Sequence, residues 1–155
     1  MNRREFSSLL PMLFAAPALT EIADAQVPGS QPAAAHAPLA PLQSGQSPWG
    51  EGSGPSQTGR TSHHFVAGML PDNIRLEAHA TVLAPGAPME PVGHHKHSEM
   101  WFIREGTVTL MTAGTTRTLK AGDMGLCIAG DEHSVGNASK TDQASYFVVA
   151  VGPPE

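Results

Sequence analysis

Between positions 94 and 99 the chain reads His94-His95-Lys96-His97-Ser98-Glu99, three imidazoles and one carboxylate within six residues. Neutral imidazole nitrogen and carboxylate oxygen are ligands that first-row divalent metals accept. Side chains alternate between faces on an extended strand, so His95, His97 and Glu99 share one face and His94 points the other way. A bend at 93–95 would change that assignment. One strand rarely supplies a whole coordination shell. His133 is the expected further ligand, because it follows the turn Ala129-Gly130-Asp131 and opens a strand-like run to Val135. The expected shell is therefore His95, His97, Glu99 and His133 around one divalent transition metal ion. Iron, manganese, nickel, copper and zinc all remain open, since their ligand preferences overlap. The plainer alternative is a solvated histidine-rich loop that binds metal weakly.

Trp101 and Ile103 have the parity of Glu99 and are expected to line a substrate pocket beside the metal. His79, on another expected strand, is the candidate general base if it points inward; otherwise it is a partly exposed strand residue. Tyr146 and Phe147 read as core residues. Cys127 reads as a small buried hydrophobe. A lone cysteine excludes an intrachain disulfide and any cysteine-based zinc or iron–sulfur site.

Short strands must position these residues. Ile74, Leu76, Ala78, Ala80 and Val82 alternate with Arg75, Glu77, His79 and Thr81. Val108 and Leu110 alternate with Thr107, Thr109 and Met111, and the run from Tyr146 to Val151 is β-branched and aromatic. Turn signals separate the runs at Pro85-Gly86, Glu105-Gly106, Ala113-Gly114, Ala121-Gly122-Asp123 and Ala129-Gly130-Asp131. Such spacing indicates an all-β sandwich or barrel over residues 61–155. The composition agrees: 16 Gly and 14 Pro among 155 residues break any long helical pattern. A net charge of −5 lacks the footprint of a nucleic-acid binder. No Gly-rich phosphate loop precedes a helix, and no Gly-x-Ser-x-Gly elbow occurs.

The N-terminal part differs. Residues 1–25 carry Asn2-Arg3-Arg4-Glu5-Phe6, an apolar run from Leu9 to Leu19 and the small-x-small site Ala23-Asp24-Ala25. The apolar run is too short to span a bilayer of about 30 Å. This segment resembles a twin-arginine signal peptide, with Ser7-Ser8 where the family often has Leu-Lys, and implies a periplasmic or secreted destination. Residues 26–60 hold six Pro, six Gly and only two charged side chains. They are expected to form a largely disordered tether, with Trp49 as a single docking anchor.

Two stretches resemble the two motifs of the cupin superfamily. Glu99 to Gly106 matches the Glu-x6-Gly end of the first motif. Gly122 to Asn137 reads GDMGLCIAGDEHSVGN and matches the second at Gly122, Gly130, His133 and Asn137, with Ile128 in the place of its proline. The resemblance covers about residues 61–155 and implies a double-stranded β-helix, or jelly-roll barrel, holding one metal ion. The first motif departs from the pattern. His95 falls on a family ligand position, but the preceding ligand position is Gly93. Either His94 enters through a bulge at Gly93, or His97 takes the place, or the shell has three ligands: His95, Glu99 and His133.

The resemblance implies an exported metal-dependent enzyme, a dioxygenase, isomerase or lyase, acting on a small oxygenated molecule. A non-catalytic barrel that binds a small ligand is the alternative, and metal buffering by the histidine cluster is a third. The expected partners are a small molecule and a second copy in a homodimer that covers sheet edges. No nucleic acid and no membrane span are expected.

Overall fold

The computed structural model describes residues 38–49 and 56–154. The expected export signal lies outside the described residues, as do 26–37 and 50–55 of the expected tether. The strands are β1 (Ser56–Gln57), β2 (Arg60–Leu70), β3 (Ile74–Leu83), β4 (Ser98–Glu105), β5 (Thr107–Thr112), β6 (Thr115–Lys120), β7 (Met124–Cys127), β8 (His133–Asn137) and β9 (Ala144–Gly152). They form a six-stranded sheet in the order β1-β2-β3-β9-β4-β7 and a three-stranded sheet in the order β6-β5-β8. All strand pairings are antiparallel. Apart from a 3-10 turn over Pro71–Asn73, the described residues hold no helix, and none is long and apolar enough to cross a membrane. This is the all-β architecture that the alternating runs and turns predict, arranged as the jelly roll that the resemblance implies.

The turns fall where the sequence puts them. Ala113 (φ 46°) and Gly114 (φ 74°) both take the left-handed conformation between β5 and β6, the requirement of a tight two-residue hairpin turn. Strand β2 is one of the elements that the periodicity does not reveal. Its register shifts between His64 and Val66, and the extra residue breaks the alternation along RTSHHFVAGML.

The core lies between the sheets. Leu83, Val108, Val135 and Val148 are fully buried, and Trp101, Ile103, Leu110, Tyr146 and Cys127 pack with them. The alternation of β3 is present, but its polar side turns inward. Thr81 pairs with Tyr146, His79 with Val148 and Glu77 with Ala150, and directly paired residues share a face. The apolar row of β3 lies on the outer face, where Ala80 is nonetheless buried and Phe65 meets Phe147 with ring centroids 5.6 Å apart. Farther along that outer face Phe102, Met124 and Leu126 stand about half exposed.

Residues 38–49 do not behave as the expected tether. Pro41 forms a parallel bridge with Met69. The Leu42 N–H donates to the Met69 carbonyl at 2.8 Å, and the Met69 N–H to the Ala40 carbonyl at 2.9 Å. Gly68 makes this approach possible, because a Cβ there would lie 2.5 Å from Leu42 Cδ2. The Trp49 ring lies tilted against His63, centroids 4.6 Å apart, and Arg104 lies over its ring at 4.8 Å. Proline and glycine content does not preclude docking where a few backbone hydrogen bonds and one large ring offset the ordering entropy.

Candidate metal centre

The centre is built where the segment before β4 crosses the start of β8. Gly93 and His133 exchange backbone hydrogen bonds at 3.0 and 2.9 Å, and the Gly130 N–H donates to the His95 carbonyl at 2.8 Å. These bonds bring two stretches of chain, about 40 residues apart, side by side. β4 starts at Ser98, so His95 and His97 lie in the bend ahead of it and not on the straight strand that the spacing predicts. The bend still delivers both rings to the side of Glu99. It fits because Gly152, at the end of β9, has no side chain: a Cβ there would lie 2.8 Å from His97 Cα.

Glu99 stands at the centre of the cluster. Its Oε1 is 3.3 Å from His97 Nε2, and its Oε2 is 3.4 Å from His133 Nε2. His95 stacks on His97 with ring centroids 4.6 Å apart and lies 5.2 Å from the His133 ring. One ligand atom from each of His95, His97 and Glu99 falls within 4.8 Å of the others. The structure thus groups His95, His97 and Glu99, with His133 against the second carboxylate oxygen of Glu99. Among the alternatives for the displaced first ligand, His97 is the buried ring beside Glu99. His94 is exposed and lines a surface depression with Lys96, Ala129 and Pro153.

The donor set fits a divalent metal. It offers up to three imidazoles, which bind as neutral rings, and one carboxylate, with no soft sulfur ligand. Burial pushes the His133 ring below the usual histidine range, against the pull of Glu99, which keeps a lone pair available at neutral pH.

A cavity of ≈ 410 Å³ adjoins the cluster, lined in part by His79, Glu90, His95, Glu99, Trp101 and Tyr146. Trp101 lines it, its ring 5.3 Å from that of His133. Ile103 does not line it. Paired with Tyr146 at the next position along β4, it is buried in the core. His79 points inward, with Nδ1 3.5 Å from Glu77 Oε1. Tyr146, read as core, also reaches the cavity.

Arg60, Glu77 and Glu90 stand in this neighbourhood and belong to no motif in the sequence. The Arg60 guanidinium donates to the carbonyls of Pro88 and Val135 at 2.5 and 2.6 Å and pairs with Glu90 at 3.6 Å. Burial pushes the Glu90 carboxyl up, against Arg60. Glu77 could have been found from its parity with His79. Glu90 lies in a proline-rich connection with no periodicity to mark it.

Residues 80–150 match the Cupin_2 family, a cupin domain. Among curated proteins none matches the sequence. Solved structures resemble the chain in fold at low identity. KdgF from a Halomonas species aligns at 15% identity with a TM-score of 0.56, over 74% of this chain and 96% of its own. An RmlC-like cupin from Shewanella frigidimarina aligns at 21% and 0.54, over 71% and 96%. TT1209 from Thermus thermophilus aligns at 20% and 0.53, over 64% and 89%. A cupin domain thus matches over residues 80–150, and the chain shares the fold of these barrels.

Proposed function

We propose that this chain is an exported, metal-dependent enzyme acting on a small oxygenated molecule as a dioxygenase, isomerase or lyase. The observation that carries the reading is the convergence of His95, His97, Glu99 and His133 beside a cavity that also holds proton-transfer groups. A divalent ion held by these four residues would supply Lewis acidity toward a substrate carbonyl or enol oxygen.

The chain's own residues do the remaining work. Burial pushes the Tyr146 phenol up to about 12, so at neutral pH it stays protonated and donates a hydrogen bond to a substrate oxygen. Glu90, with its raised carboxyl, is suited to hold a proton and return it. His79 is the proposed general base. Glu77 lies against its Nδ1, so with the proton on Nδ1 the other ring nitrogen is left as acceptor. Trp101 gives the cavity one apolar wall that excludes water from the reacting atoms.

The test is turnover of a panel of small diketones, flavonols and sugar acids by the purified chain, metal-loaded and metal-stripped. Turnover that disappears on stripping, in H133A and in H79Q supports the reading. Bound metal with a panel member bound but none converted favours the second reading, a ligand-binding barrel, which the departure at Gly93 from the first motif supports. Export is tested separately by cell fractionation with Arg3 and Arg4 replaced by lysine, where retention in the cytoplasm is the expected result.

A further inference from the structure

A second group of ligating side chains lies on β2 and β3, apart from the four residues described above. His64 and His79 are directly paired across the two strands, with ring centroids 5.3 Å apart. Glu77 stands two residues before His79 on the same face. Its Oε1 lies 3.7 Å from His64 Nδ1 and 3.5 Å from His79 Nδ1. The three ligand atoms fall within 4.8 Å of one another. We propose that Nδ1 of His64, Nδ1 of His79 and Oε1 of Glu77 form a second site for a first-row divalent cation, on the wall of the same barrel.

Three observations carry this. Two imidazole nitrogens turn toward one carboxylate oxygen, the arrangement of a three-ligand site with open positions. The His79 Nδ1 is buried, with Glu77 Oε1 at 3.5 Å as its near neighbour; a buried polar atom is costly unless something satisfies it. Arg75 donates to the other carboxylate oxygen, Oε2, at 2.6 Å, which fixes the carboxylate plane and leaves Oε1 facing the two rings. A polar recess of ≈ 180 Å³ opens beside the rings, lined in part by Ser62, Thr81 and Tyr146, with room for water in the open positions.

The two sites share His79 as a neighbour of the main cavity, and this has a chemical consequence. An ion on Nδ1 places the ring proton on Nε2. His79 then becomes a hydrogen-bond donor toward the cavity and ceases to be a base, so occupancy of the second site switches off the role assigned to His79 above. The metal site itself does not rest on the proposed reaction.

The probe is Zn2+. The metal-free 155-residue chain is dialysed against it and bound zinc is counted by mass spectrometry in wild type, E99Q, H64A and E77Q. The second site predicts that H64A and E77Q each hold about one ion fewer than wild type, and that the E99Q/H64A pair loses about two. If H64A and E77Q keep the wild-type count while E99Q loses one, the second site is wrong and the first stands. The reverse pattern leaves the second site and removes the first. Nitrogen-15 NMR of the histidine rings in the wild-type chain guards against misfolded variants. Zinc must move the Nδ1 resonances of His64 and His79 and leave their Nε2 protonated. Unchanged rings at saturating zinc overturn the proposal.

Discussion

The two imidazole–carboxylate clusters of this barrel are assembled in opposite ways. The first gathers residues 95, 97 and 99 with residue 133, and a backbone bridge at Gly93 holds the two stretches together. The second is local. It needs only one cross-strand pair and a residue two places along the same strand. Their electrostatics differ as well. Glu99 has His97 and His133 as its described ion-pair partners, whereas Glu77 shares its charge with Arg75 at 2.6 Å. A carboxylate already facing a guanidinium has less charge to offer an ion. The difference teaches that matching donor types do not make equal sites: the first should bind a divalent ion more tightly than the second.

The strongest way to break that comparison is E99Q. It should weaken binding at the first cluster by more than about a hundredfold, since even groups that merely support a ligand cost about 10–100-fold. Binding at the second should be unchanged, and calorimetric titration of the metal-free chain with Zn2+ separates the two steps. Equal loss at both would mean the clusters are one site.

Acid titration of the metal-free protein sharpens the contrast next. Glu77 is depressed from 4.5 to about 2 when folded, so its contribution is present above 4.5 and is lost as pH falls toward 2. Its upper bound is about 3 kcal/mol, from about 1.4 kcal/mol per pH unit. His133 is also depressed, from 6.5, but it is a base: the unfolded chain takes up its proton first. Stability from this residue is therefore present above 6.5 and declines as pH falls below that value. Urea unfolding across pH should show both slopes, with E77Q removing the lower and H133N the upper.

G152A tests the support of the first cluster. Its Cβ would press on the His97 backbone at 2.8 Å, costing about 1–3 kcal/mol as overpacking does. Zinc affinity at the first cluster alone should fall about tenfold, the lower end of the range for supporting groups. The smallest effect is expected from W49A, about 1 kcal/mol in urea unfolding, the scale of an aromatic contact. Neither metal step should move.

Much of this was legible in the sequence, for physical reasons that also explain the gaps. Strands β3, β5 and β9 announce themselves because their side chains alternate or are β-branched, and the Ala113-Gly114 turn because its backbone needs left-handed residues. The residues of the first cluster are legible because they fall in short motifs. Which face of β3 turns inward was not legible. A barrel with a polar lumen inverts the usual rule that the apolar row faces the core, so Glu77 and His79 line the inside while Ala78 and Ala80 face out. The bulge after His64 hid β2, and with it the ring that completes the second cluster. The displacement of Ile103 from the pocket could not be read from parity, which gives a face and not a depth.

The short stretch around Pro41 has a consequence for how this protein meets copies of itself. A sheet that ends on a bare strand offers a template on which another chain can add. Here the outer border of β2 is occupied at one end by β1 and at the other by Ala40 to Leu42, and proline there has no N–H to extend the ladder. A chain trimmed back to residue 56 would uncover the Gly68–Leu70 backbone and should self-associate more readily than the untrimmed one.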